Sequence, residues 1–167
     1  PANLSTEIHR LAQALTVCAA HRQALDEALD DLRAGQFTAS DMARMGKEQR
    51  RLLDQFAYRY TRLQDDMGAR LMPATLAALG EPIATLSVID RLDRLEQLEW
   101  LPSAEEWGDL RRIRNAFAHD YPETPDQRFE HLQAAIVSAH RALEILAGFE
   151  RRIHQRFPEI TRQERRQ

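Results

Sequence analysis

"LSTEIHRLAQALTVCAAHRQALDEALDDLRAG", residues 4–35, places apolar side chains at Leu4, Ile8, Leu11, Leu15, Cys18, Leu25, Leu29 and Leu32. The steps are three and four, with one place missed, which is the spacing that lines one face of an α-helix. A strand would alternate every second residue. The stretch therefore predicts an amphipathic helix over about residues 3–33. "RAGQFTAS", residues 33–40, interrupts it through Gly35, and Ser40 is placed to cap a second helix. That helix carries Met42, Met45, Leu52, Phe56, Tyr60, Leu63, Met67 and Leu71 on its apolar stripe. Pro73 is expected to kink or end it, with a short continuation to Leu79.

The same signals recur further along. Ser87 followed by Asp90 reads as a capping box opening a short helix to about Trp100, and Pro102 interrupts. Ser103 with Glu106 makes a second box and starts a helix carrying Trp107, Leu110, Ile113 and Phe117, stopped by Pro122. Thr124, Pro125 and Gln127 form a third start signal, with proline at the first helical position. The last long stripe is Phe129, Leu132, Ile136, Ala139, Leu143, Leu146, Phe149, Ile153 and Phe157. No stretch sustains strand alternation, and no internal repeat is visible. The reading is all-α: an antiparallel helical bundle of three long helices plus two or more short ones, in a single domain over residues 1–167. The near-heptad stripe of the first helix serves a dimer or packing within one bundle equally well.

Composition bounds the function. The chain has 167 residues, 43% hydrophobic and 29% charged, which suits a soluble globular protein. A single cysteine cannot form an internal disulfide, and no apolar run approaches the ~18 residues of a membrane helix. A cytoplasmic location is the expectation, with no membrane partner. The formal net charge of −3 does not announce a nucleic-acid binder. The charge is uneven, however: residues 150–167 hold six arginines against three glutamates, a basic helix end and tail. This segment reads as a solvated end or as a contact for RNA or an acidic partner. Lys47 is the only lysine, and guanidinium groups suit bidentate phosphate contacts.

Metal and nucleotide chemistry find little support. The six histidines form no i, i+4 pair with glutamate, and there is no cysteine cluster. No metal and no cofactor is expected. There is no Gly-rich phosphate loop, and Cys18 sits on the apolar stripe as a core residue. In "YRYTRLQDDMG", residues 58–68, Arg59, Arg62, Asp65 and Asp66 are spaced as helical ion pairs. Alternatively, Arg62 or Asp65 faces a cleft.

The remaining segment is "RIRNAFAHDYP", residues 112–122. Read alone it is a polar helix end, with Arg112 and Arg114 near the negative end of the dipole. Its residue types also fit RNA cleavage without metal. Histidine titrates near neutral pH and can take or give the proton that a 2′-hydroxyl attack requires. Arginine can stabilise the charge gathering on the five-coordinate phosphorus. Arg114 and His119 are five apart, about 140° around an ideal helix, whereas Arg112, Asn115 and His119 share a face. Either the helix loosens before His119 or Arg112 is the working arginine.

"RNAFAHDYP" with the preceding "WGDLRRI" resembles the signature segment of the HEPN domain, most nearly the HepT-like toxins of HEPN/MNT toxin–antitoxin modules, with their R-x4-H-x-Y pattern. Arg114, Asn115, His119 and Tyr121 fill its places. "FAYRYTRLQDDMG" resembles the second helix of that group. The resemblance implies a HEPN-type bundle and a metal-independent endoribonuclease acting on RNA as a homodimer, with its active site at the dimer interface. It implies Arg114 on the scissile phosphate, His119 as general acid or base, and Asn115 orienting either. The implied partner is an MNT-type nucleotidyltransferase antitoxin that silences the toxin by AMPylation of Tyr121, which could otherwise stack on a base. The contrasting reading is a non-catalytic helical binding module beside a nucleotidyltransferase.

Overall fold

Residues 5–118 and 124–164 are described by a computed structural model, and among them the regular structure is helical throughout, with no strand. The first long stripe forms α1 (Thr6–Gly35), with Leu11, Leu15, Cys18, Leu25, Leu29 and Leu32 all buried. The helix ends at Gly35, where the sequence places its interruption. The left-handed step falls on Gln36, with φ 47°. Gly35 is needed for a different reason: a Cβ there would lie 2.9 Å from the Phe37 ring.

Ser40 does not cap the second helix. Thr38 instead begins a 3-10 turn, Ala39–Ala43, and its amide and hydroxyl both donate to the Asp41 carboxylate. α2 (Lys47–Asp66) starts later, with Gln49 accepting from the Gly46 amide. Thr38 has an acidic residue three positions on and Ser40 does not, so Thr38 can close the reciprocal pair of bonds.

Pro73 does not end the run of helix. Proline lacks an N–H, and its ring crowds the carbonyl four residues back. The backbone responds one turn earlier by widening into a π-turn, Met67–Leu71, where the Met72 amide donates to the Met67 carbonyl. Helix then continues as α3 (Met72–Ala78). It ends on Gly80, φ 85°, with Glu81 N–H bonded to the Leu76 carbonyl and Gly80 N–H to that of Ala77. α4 (Val88–Gln97) opens on the Ser87–Asp90 capping box. It closes by the same geometry as α3, but with Glu99 at φ 60° where glycine would be unstrained.

α5 (Ala104–Ala118) is capped by Ser103, whose hydroxyl accepts from the Glu106 amide. α6 (Pro125–Arg156) starts on Thr124, which exchanges bonds with Gln127. Pro158 opens a separate short helix, α7 (Pro158–Glu164), so part of the basic end is helical. Among the described residues no helix is long and apolar enough to cross a membrane.

The chain forms two compact units. The first takes residues 1–19, 65–106 and 144–167. Its core includes Leu11, Cys18, Leu71, Leu76, Leu95 and Phe149, with Trp100 tilted against Phe149 at 5.9 Å. Arg94 forks onto both Glu81 oxygens at 2.8 and 2.9 Å, tying α4 to the loop after α3. The guanidinium holds the Glu81 carboxyl below its ordinary value. The second unit takes residues 20–64 and 107–143. Its core includes Leu25, Leu29, Phe56, Tyr60, Leu63, Trp107, Leu132 and Ala139.

Candidate functional site

The second unit holds most of the residues selected from the sequence. α5 keeps α-helical form through Ala118, the residue just before His119. Its buried stripe is Trp107, Leu110 and Arg114, with Arg114 only 6% exposed. Periodicity had favoured Ile113 and Phe117 for that face, and both are only half-buried. The stripe has turned by one residue, so that a charged side chain takes the inward place.

Arg112 and Asn115 both lie on the exposed side of α5. Arg112 pairs with Asp109, one turn earlier, and its side chain is 75% exposed. The structure therefore separates the two candidate arginines: Arg114 faces in, while Arg112 faces out with Asn115. His119 and Tyr121 lie outside the described residues, as do Asp120 and the Pro122 stop.

Of the residues that surround the inward face, Phe56 and Tyr60 were expected on an apolar stripe, and Ser138 was not singled out from the sequence. Tyr60 on α2 is fully buried and hydrogen-bonded to Ser138 on α6. Ser138 Oγ in turn donates to the Leu110 carbonyl on α5 at 3.4 Å. Since Ser138 donates to a carbonyl, which can only accept, its oxygen accepts from the Tyr60 hydroxyl. Burial pushes the Tyr60 hydroxyl up to about 12, while its bond to Ser138 and the Arg114 guanidinium pull it down. Phe56, one turn before Tyr60, stacks on it at 6.0 Å and meets Phe117 of α5 at 5.5 Å. α2 thus meets α5 directly through the Phe56 ring, and through Ser138 by way of the Tyr60 hydroxyl. The only available hint was a serine among the small residues of the α6 stripe, beside Ala135, Ala139 and Ala142.

The second polar cluster divides. Arg59 lies 5.5 Å from the centre of the Tyr58 ring, and Arg62 and Asp65 are exposed. Asp66 is buried and pairs with Arg70 at 3.1 Å, in the first unit. Cys18, in that unit, is buried core. Desolvation, reinforced by the Asp66 and Glu150 carboxylates, pushes its thiol up to about 12, so it is no nucleophile at neutral pH. A groove of about 780 Å³ in the first unit is walled by Thr16, Val17, Pro73, Ala74 and Ala77. Arg112, Arg114 and Asn115 do not line it. Among the described residues no three of His, Cys, Asp and Glu gather closely enough to hold a metal ion. No family model, curated protein or solved structure matches the chain.

Proposed function

We propose that the chain is a metal-independent endoribonuclease of HEPN type, the toxin of a HEPN/MNT module, with Arg114 and His119 as its catalytic pair. The observation that carries this reading is the burial of Arg114 five residues before a histidine. A guanidinium is costly to remove from water, and such groups concentrate where their charge is used. In a low-dielectric setting the same charge acts more strongly on a phosphate than an exposed arginine does.

The reaction follows from the groups. A histidine takes the proton of the RNA 2′-hydroxyl, whose oxygen bonds to the neighbouring phosphorus. The bond from phosphorus to the 5′-oxygen breaks, and that oxygen leaves with a proton from a second acid. In a homodimer with the site at its interface, the second acid is His119 of the other copy. Arg114 stabilises the negative charge gathered in between. Asn115, exposed beside it, orients the phosphate or the imidazole. An MNT-type nucleotidyltransferase silences the site by transferring AMP from ATP to the Tyr121 oxygen, with pyrophosphate leaving and the hydroxyl proton lost, which places phosphate charge in the RNA path.

One observation favours a second reading. Arg114 has polar company inside the second unit, so it can be a structural cation in a helical module that only binds a nucleotidyltransferase. One experiment separates the two. The purified protein is incubated with total RNA and EDTA, and His119→Ala is run beside it. The catalytic reading expects cleavage that the substitution abolishes; cleavage unaffected by it sinks that reading. Co-expression with a neighbouring nucleotidyltransferase should add an AMP-sized mass increment mapping to Tyr121.

A further inference from the structure

The hydrogen bonds under α5 form a directed chain: the Tyr60 hydroxyl donates to Ser138 Oγ, and Ser138 donates to the Leu110 carbonyl. Leu110 lies one helical turn before Arg114, on the same buried stripe. In an α-helix its carbonyl also receives the amide of Arg114. The chain therefore ends on the peptide group that supports Arg114. At its other end, the Tyr60 oxygen carries lone pairs in the field of the Arg114 guanidinium. Dipoles arranged in series polarise one another, and a cation facing the oxygen of the first donor strengthens every link. The stacked Phe56 ring fixes the tyrosine from the side and presses on Phe117, three residues beyond Arg114.

We propose that Tyr60 and Ser138 are positioning residues for Arg114, holding both its backbone turn and the direction of its guanidinium from α2 and α6. This inference rests on the reading of Arg114 as the phosphate-stabilising residue. Tyr60 touches no substrate in this role. Its hydroxyl acts through the arginine alone, so its contribution depends on a guanidinium being there to orient.

The test is a set of four proteins: wild type, Tyr60→Phe, Arg114→Lys and the double variant. Each is assayed on a single-stranded RNA oligonucleotide that wild type cleaves, with EDTA present. Tyr60→Phe keeps the ring and its stack and removes only the hydroxyl. It should lower kcat about tenfold at unchanged KM, the scale of a misaligned catalytic group. In the Arg114→Lys background the same change should cost nothing further. A purely structural tyrosine would lower activity by the same factor in both backgrounds. Melting temperatures on all four proteins show that each is folded. Ser138→Ala gives the same comparison if Tyr60→Phe does not fold. Wild-type kcat in Tyr60→Phe, or equal losses in both backgrounds, overturns the positioning role and leaves the ribonuclease reading standing. A wild type that cleaves no RNA overturns that reading and the positioning role together.

Discussion

Arg112 and Arg114 stand two residues apart on α5 and work in different solvents. The outward face carries Arg112, three-quarters exposed and paired with Asp109, and the exposed Asn115. The inward face carries Trp107, Leu110 and Arg114, all buried, beneath the hydroxyls of Tyr60 and Ser138. Water and salt screen the outer charge, so its pairing is weak and its reach short. The inner charge is screened little and acts on the Tyr60 hydroxyl. One helix thus presents the same side chain once as a solvated surface group and once as a buried cation.

The sharpest way to break this comparison is to remove each arginine in turn. Arg114→Ala should lower kcat for RNA cleavage about 10²- to 10³-fold, the cost of losing one preorganised donor to a developing oxyanion. Arg112→Ala should lower it by no more than about twofold, as for a screened surface charge. Single-turnover cleavage of one oligonucleotide measures both. If the two effects are exchanged, the working arginine is the one that shares the face of Asn115, and the inward cation is structural.

The next test reads the inner face without RNA. The Tyr60 hydroxyl stands at about 12 in the folded protein against an ordinary value of 10.0, because it is buried. A raised value means that the folded state holds this proton more tightly than the unfolded chain does. The stabilisation is complete below pH 10 and is lost as pH rises from 10 to 12, by about 2–3 kcal/mol at ~1.4 kcal/mol per unit. Urea midpoints across that window should fall steeply for wild type and less for Tyr60→Phe. Cys18, raised to about 12 from 9.0, adds a separate loss that begins at pH 9, and Tyr60→Phe leaves that part in place. Arg112→Ala should leave the whole alkaline profile unchanged, whereas Arg114→Leu should move the tyrosine's part.

Much of the helical layout was legible because period and punctuation agreed. The stripe of α1 and the starts at Ser87, Ser103 and Thr124 all appear where residue type and spacing placed them. The misses have physical causes. Ser40 was preferred for its type alone, while the reciprocal pair that closes a cap needed the acid three residues past Thr38. Pro73 signalled a disturbance, but a widened turn upstream relieves it at less cost than a break. Along α5, a buried set of 107, 110 and 114 is as helical as one of 107, 110 and 113. Preferring apolar residues chose the wrong member. Packed against the same face are a tyrosine and a serine, bonded to each other and 78 residues apart in sequence, a pairing that no local pattern reveals. The residue types of the motif segment, Arg114 and Asn115 among them, are read directly from the sequence. The direction each faces is not, because that depends on what packs against α5.

The smallest expected effect lies on the outer face and completes the contrast. Asp109 and Arg112 are three apart on α5, with side chains 48% and 75% exposed. A helical ion pair of this kind contributes about 0.2–0.5 kcal/mol, opposed by the entropy of ordering two mobile side chains. A double-mutant cycle of Asp109→Ala and Arg112→Ala, read from urea midpoints, should give a coupling in that range at low salt. The coupling should fade toward zero near 1 M salt, where the Debye length is about 3 Å. A coupling above about 1 kcal/mol that persists in salt would mean that Arg112 is held as firmly as Arg114. The division of α5 into a solvated face and a buried one would then fail on its outer side, whatever the inner arginine does.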